Sequence, residues 1–186
     1  MFSPLNLKRW IAENQHLLQP PVSNKAVWTD DRETIVMVVG GPNARNDYHV
    51  QDTEEFFYQV QGDITLRIIH PDTQRPHDVV LREGDIYLLP AGVPHSPMRP
   101  RDTVGLVIEQ KRPEGSLDRL RWYCDACGGL VHEAHFTLEN IAVDLKRIME
   151  EFWRDDALRT CACGAKVEQP GEAQPPASQP PAPASA

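Results

Sequence analysis

The chain has 186 residues, with 19 Lys and Arg against 27 Asp and Glu and a net charge of −8. That balance excludes a general nucleic-acid or anionic-membrane binder, because such partners need clustered cations and no long Lys/Arg run occurs. No apolar run reaches the roughly 18–20 residues that cross a bilayer, and the start lacks a secretory h-region, so a soluble, cytoplasmic protein without a membrane partner is expected.

Residues Asn6 to Leu18 place Leu7, Trp10, Ile11, Leu17 and Leu18 on one apolar face before Pro20 and Pro21, which predicts a short amphipathic helix packed on the main body. The period then changes. Short β-rich runs follow at Thr34–Val39, Glu55–Val60, Ile64–His70, Asp78–Leu81, Ile86–Leu89 and Val104–Glu109, punctuated by Gly, Pro and Asp. With no helices between them, these runs predict an antiparallel sandwich or barrel, whose centre can hold one ligand or metal. Leu120–Tyr123 and Leu130–Leu138 read as two more strands flanking Cys124 and Cys127. Ile141, Leu145, Ile148 and Phe152 then recur at helical spacing after Asn140, a candidate N-cap, and this helix would return Cys161 and Cys163 to the first pair. Six of the 17 prolines fall between Pro170 and Ala186. The expected organisation is a barrel with its N-terminal helix over 1–115, a cysteine-bearing extension over 116–166, and a disordered Pro/Ala-rich tail over 167–186.

Chemistry concentrates in two segments of the β region. Gly41 to Gly62 carries His49 and, six positions later, Glu55; Gly84 to Arg99 delivers His95 after the turn residues Pro90, Gly92 and Pro94. Two histidines and one carboxylate on one face of a metal leave adjacent positions open, an arrangement that suits non-haem Fe(II) and its use of O2. Any one of the three alone would read as an ordinary core or surface residue, and it is the joint spacing that carries the assignment. His16, His70, His77, His132 and His135 have no such partners. The close pairs Cys124/Cys127 and Cys161/Cys163 favour metal ligation over disulfides in a reducing compartment.

The spacing of His49, Glu55, Gly62, Gly84, Pro90, Gly92 and His95 resembles the paired motifs of the cupin superfamily, departing at Gln51, where many cupins carry a further metal-binding histidine. The runs VVGGPNARNDYH, EEFFYQVQG, GDIYLLPAGVPHSPMRP, LVIEQKRP and WYCDACG together resemble the bacterial 3-hydroxyanthranilate 3,4-dioxygenase family, over nearly the whole chain to about Gly164. The resemblance implies an all-β-dominated cupin barrel (double-stranded β-helix, jelly roll) with a small helical, metal-binding C-terminal extension. It also implies extradiol-type cleavage of 3-hydroxyanthranilate by O2 to 2-amino-3-carboxymuconate semialdehyde, the quinolinate precursor of the kynurenine pathway, tryptophan catabolism and NAD biosynthesis. The catalytic Fe(2+) would be held by His49, Glu55 and His95. Arg99 would bind the substrate carboxylate, Glu55 and Glu109 would contact the substrate, Arg45 would face the oxygen side, Asn24 would line the cavity, and the protein would be a homodimer.

Cys124-Asp-Ala-Cys127 resembles one knuckle of a rubredoxin-like site, whereas Cys161-Ala-Cys163 is one residue shorter than the family's usual Cys-x-x-Cys. Four thiolates without an open position imply a second Fe, or Zn, with a structural or electron-storing role. Two competing functions remain: another metal-dependent cupin enzyme such as an isomerase, and a non-catalytic module that binds an aromatic acid. Arg45, Arg99 and Glu109 argue against the first, since this charge set suits a small aromatic amino-carboxylate. Iron-dependent oxygen uptake separates the dioxygenase from the second.

Overall fold

A computed structural model of the chain describes residues 3–19, 24–29, 33–138 and 141–176. Helix α1 spans Leu7–Asn14, started by the Asn6 side chain accepting from the Arg9 amide at 3.0 Å, and a 3-10 turn over Gln15–Leu17 continues it. Leu18 closes this segment fully buried, its backbone carbonyl so near Gly40 that a Cβ there would lie 2.2 Å away. Only glycine allows α1's end to sit this close to the sheet.

Eleven strands follow among the described residues, all paired antiparallel. They are β1 (Asn24–Ala26), β2 (Thr34–Gly40), β3 (Tyr48–Val50), β4 (Glu55–Gln61), β5 (Ile64–Ile69), β6 (Pro76–Leu81), β7 (Ile86–Leu89), β8 (His95–Met98), β9 (Val104–Gln110), β10 (Asp118–Tyr123) and β11 (Leu130–Phe136). One sheet has the order β1-β2-β9-β4-β7 and the other β11-β10-β3-β8-β5-β6. From β2 to β5 and again from β6 to β9 the chain changes sheet at each step, which is the winding of a double-sheet jelly roll.

Alternation along the strands builds the barrel interior. Met37, Phe57, Ile64, Leu66, Ile68, Leu81, Leu89, Val93 and Val107 form one buried cluster. Burying a side chain of this size contributes roughly 1.5–3 kcal/mol, so this cluster is a principal source of the barrel's stability. Polar residues occupy the remaining inward positions of the same strands, notably Glu55 and Gln59 on β4 and Glu109 on β9, all buried. These charges sit where the pattern calls for apolar side chains, and they mark the site.

A second cluster lies outside the barrel: Leu120, Trp122 and Phe136 from β10 and β11 pack against Leu145, Ile148 and Phe152 of α2 (Ile141–Arg154). Trp122 stacks on Phe152 with ring centroids 4.0 Å apart. The expected N-cap Asn140 lies outside the described residues. A four-residue helix, α3 (Asp156–Arg159), leads to the second cysteine pair. The cysteine-bearing extension grows from the barrel's own sheet, because β10 pairs with β3 through Arg119↔Val50, Leu120↔His49 and Arg121↔Tyr48. The expected solvated tail meets ordered contacts up to residue 176: Val167 and Ala173 are buried, and the Ala173 amide donates to the Asn43 carbonyl at 2.9 Å.

Three strands were not expected from the sequence as strands, β1, β3 and β8, and the last two carry the two histidines. Both are short and rich in polar residues, so neither shows the apolar alternation from which strands are read.

Candidate metal and substrate site

His49 and His95 are direct cross-strand partners on β3 and β8, with ring centroids 5.4 Å apart. The turn that delivers His95 is tied to the strand end of His49, since the Gly92 amide donates to the Gln51 carbonyl at 2.7 Å, with Gly92 at φ +76°. Glu55 opens β4 on the facing sheet, and its Oε2 stands 2.9 Å from His95 Nε2. One ligand atom from each of His49, Glu55 and His95 lies within 4.8 Å of the other two, and all three residues are buried.

The donor set fits a metal ion. No hydrogen bond satisfies Glu55 Oε2 despite the nearby His95 nitrogen, so a buried acceptor is left without its partner. Each imidazole has one nitrogen engaged by protein: His95 Nδ1 on the Val93 carbonyl at 3.1 Å and His49 Nε2 on Asp118 Oδ2 at 2.6 Å. Such contacts fix tautomer and ring orientation and leave the other nitrogen available. Burial holds His49 below the ordinary imidazole range, against the pull of Asp118, which favours the neutral ligand form. Burial pushes the Glu55 carboxyl up, but the charges of His95, His49 and Arg112 outweigh it and leave a carboxylate.

Around this triad stand the other expected residues. Glu109 is the β9 partner of Glu55, and burial together with Glu55 raises its carboxyl to about 7, with Arg112 opposing; its Oε1 has no hydrogen-bond partner. Arg99 follows β8 and is 1% exposed. Among the described residues its guanidinium has one hydrogen bond, to Gln59 Oε1 at 3.4 Å, and its Nε has none. Burial lowers it to about 10 against the attraction of Glu55. A Cβ at Gly105 would lie 2.7 Å from Arg99 Nη1, so glycine there makes room for the guanidinium. A buried cation without a carboxylate pressed against it is costly in isolation and suits an incoming anion. Arg45 ion-pairs with Asp47 at 2.5 Å and feels the charge of Glu55. Asn24 sits on β1 opposite Val39, which pairs with Gly105, so it belongs to the row of positions leading to Arg99.

Three participants went unread in the sequence: Gln59, Arg112 and Asp118. Asp118 begins the buried alternation Asp118, Leu120, Trp122, and a carboxylate at an inward strand position was the available signal.

The four cysteines form a second cluster, with Cys124 Sγ 3.7 Å from Cys163 Sγ and Cys127 Sγ 3.6 Å from Cys161 Sγ. Thiolates at about 2.3 Å from one tetrahedral metal are about 3.8 Å apart, so the spacing fits a single ion. The shorter second knuckle closes a tighter turn. In the first, the amide of Gly128 donates to the Cys124 carbonyl four residues back, and in the second that of Gly164 donates to Cys161 three residues back, each at 2.8 Å. Both glycines take positive φ, 72° and 88°. Backbone amides of Cys127 and Ala126 lower the Cys124 thiol to about 7. At Cys161 burial and the neighbouring thiols outweigh the Cys163 amide and raise it to about 12. Four thiols this close cannot all ionise without a cation among them.

A jelly-roll barrel with two histidines and a glutamate converging in its interior is a metal-binding cupin. The family model for 3-hydroxyanthranilic acid dioxygenase matches residues 1–153, and the chain belongs to that family. It is 51% identical over 160 residues to the 3-hydroxyanthranilate 3,4-dioxygenase of Brucella anthropi, covering 86% of this chain and 87% of the relative. It is 48% identical over 163 residues to that of Podospora anserina, covering 87% of each. Among solved structures, a cupin-2 domain protein from Shewanella frigidimarina superposes with a TM-score of 0.45 at 20% identity, over 57% of this chain and 94% of that one. No described helix is long and apolar enough to cross a membrane.

Proposed function

We propose that the chain cleaves the ring of 3-hydroxyanthranilate with O2, giving 2-amino-3-carboxymuconate semialdehyde, at an Fe(II) centre held by His49, Glu55 and His95. The observation that carries this reading is the buried triad beside a fully buried Arg99 that has no carboxylate partner among the described residues. Family membership supports the substrate and, through the dioxygenase chemistry, iron; two imidazoles and one carboxylate leave the open positions that substrate and O2 need. When bound, Fe(II) supplies the electronic chemistry that lets ground-state O2 react with an aromatic ring.

The protein's own residues do the remaining work. Arg99 pairs with the substrate carboxylate through its guanidinium fork and so fixes the ring in the barrel. Gln59 and Gly105 hold that guanidinium in place from behind. Glu109 presents its unpaired Oε1 to the hydroxyl or amino group and receives the hydroxyl proton as the substrate binds. Glu55 serves as metal ligand and faces the substrate, and Arg45, steadied by Asp47, provides positive charge on the oxygen side. Asn24 lines the cavity. Barrel walls of Met37, Phe57 and Val107 exclude bulk water, and both oxygen atoms end in the product as the bond beside the hydroxyl-bearing carbon opens.

The cysteine cluster holds a second ion, Fe or Zn, in a closed four-thiolate site apart from the reaction. The working division is a barrel over 1–115, an extension over 116–166 and a tail beyond, in a cytoplasmic homodimer.

Oxygen uptake by anaerobically Fe(II)-loaded protein given 3-hydroxyanthranilate tests the reading. One O2 consumed per ring opened, abolished in His49→Ala, is the expected result. No uptake by folded, iron-loaded protein would overturn the assignment and leave an aromatic-acid-binding cupin.

A further inference from the structure

Arg112 lies in the connection between β9 and β10, and its guanidinium is the most heavily used polar group of the described site. Nη2 donates to Gln51 Oε1 at 2.5 Å, to Glu109 Oε2 at 3.0 Å and to Asp118 Oδ2 at 3.0 Å. Nε donates to Asp118 Oδ1 at 2.8 Å, and Nη1 to the Gln110 carbonyl at 3.0 Å. The Arg112, Glu109 and Asp118 side chains are nearly inaccessible, at 7%, 1% and 1% exposure. An ion pair formed only for stability would need one carboxylate; this one gathers two carboxylates and an amide, each attached to the site by a different route.

Asp118 reaches the metal triad through His49 Nε2 and is not a member of the three-ligand group. A carboxylate hydrogen-bonded to a ligating imidazole fixes that ring's orientation, and loss of such a partner characteristically costs about 10–100-fold in metal affinity or activity. Gln51 stands just past the end of β3, two positions after His49, and its buried side chain meets the same Arg112 nitrogen that holds Asp118, the partner of His49. An amide oxygen is itself a competent metal ligand. Here the Arg112 guanidinium holds that oxygen instead.

We propose that Arg112 is a positioning residue for the metal centre, which orients His49 through Asp118 and keeps the Gln51 amide off the face left open for substrate. This inference rests on the metal reading above. Its chemistry requires a guanidinium, because five donors in a planar fork meet acceptors on several sides whereas an ammonium offers three from one point.

Anaerobic Fe(II) titration of protein whose cysteine site already holds Zn, followed by the high-spin EPR signal of the nitric oxide adduct, reads the iron bound in the barrel. Wild type gives one signal that saturates near one iron per chain. Arg112→Gln and Asp118→Ala each weaken Fe(II) binding about 10–100-fold. In Arg112→Gln a second EPR species appears as Gln51 enters the coordination sphere, and adding Gln51→Leu restores a single species. Arg112→Lys keeps the charge and recovers little of the affinity, which supplies the test if Arg112→Gln does not fold. Wild-type affinity and an unchanged signal in a folded Arg112 variant, or full recovery by lysine, would overturn the inference alone. A wild type that takes up no iron in the barrel would overturn the metal reading and this inference with it.

Discussion

The barrel ligands come from strands β3, β4 and β8 in two different sheets, all buried, and the atoms around them include an unpaired carboxylate oxygen and an unpaired guanidinium nitrogen. The cysteine ligands come from two tight loops, two of them exposed, and their four sulfurs close on one another with no further polar group required. The first arrangement holds unsatisfied polar atoms in the barrel interior, and the second would spend all four of its sulfurs on the ion proposed for it. Reactivity follows the unsatisfied groups. The two sites are joined mechanically by β10, which pairs with the His49 strand at one end and runs into Cys124 at the other.

Arg99→Ala should have the largest effect of the changes that separate these two plans. It removes a buried cation whose proposed partner is the substrate carboxylate, and truncating one member of a buried charge pair costs about 2–5 kcal/mol. Steady-state kinetics should show KM raised by about 30-fold or more, with iron content of the purified protein unchanged. An unchanged KM would remove Arg99 from the substrate site.

Cys124→Ser should do the opposite. Loss of one of four thiolates opens the closed site, so metal analysis should fall from about two ions per chain towards one. The melting temperature should drop by several degrees, because an ion held there would tie the β10 loop to the segment after α3. Ring cleavage per remaining iron should stay within about twofold, since a closed four-thiolate site offers no position to substrate. A folded variant that has lost all activity would show that the sites are coupled beyond shared architecture.

How much of this was legible depends on how each residue declares itself. The long barrel strands β2, β4, β5 and β9 have β-branched and aromatic runs of six or seven residues, and their positions agree with the sequence reading to within a residue or two. His49, Glu55 and His95 were legible as a spaced set, and the fold brings them together. Their strands β3 and β8 were not, since three or four residues with polar members carry no period to read. Arg112 and Asp118 escaped because an arginine in a loop and an aspartate at a strand start are ordinary in sequence; only long-range pairing with Gln51, Glu109 and His49 gives them a role. The segment 167–176 looked solvated because its composition is poor in apolar bulk, yet backbone hydrogen bonds and two small apolar residues suffice to lay it on the barrel.

That segment gives the smallest predicted effect. Asn43 grips the backbone of Arg99 in two ways and that of Pro97 in one: its Oδ1 accepts from the Arg99 amide at 2.8 Å, its own amide donates to the Arg99 carbonyl at 2.9 Å, and its Nδ2 donates to the Pro97 carbonyl at 2.7 Å. The tail supports this loop from outside, through Ala173 on the Asn43 carbonyl and through Asn46 Nδ2 on the Glu168 carbonyl at 3.1 Å. Exposed Arg101 and Glu172 pair beside it and add little, as surface pairs do. A chain ending after Pro176 should behave as the full chain does. A chain ending after Glu168 loses the Ala173 bond, worth about 1 kcal/mol, and KM should rise by no more than about fivefold with kcat and iron content unchanged. Equal KM values for the two truncations would show that Asn43 holds Arg99 without help, and a fall in iron content would place the tail's influence on the ligands instead.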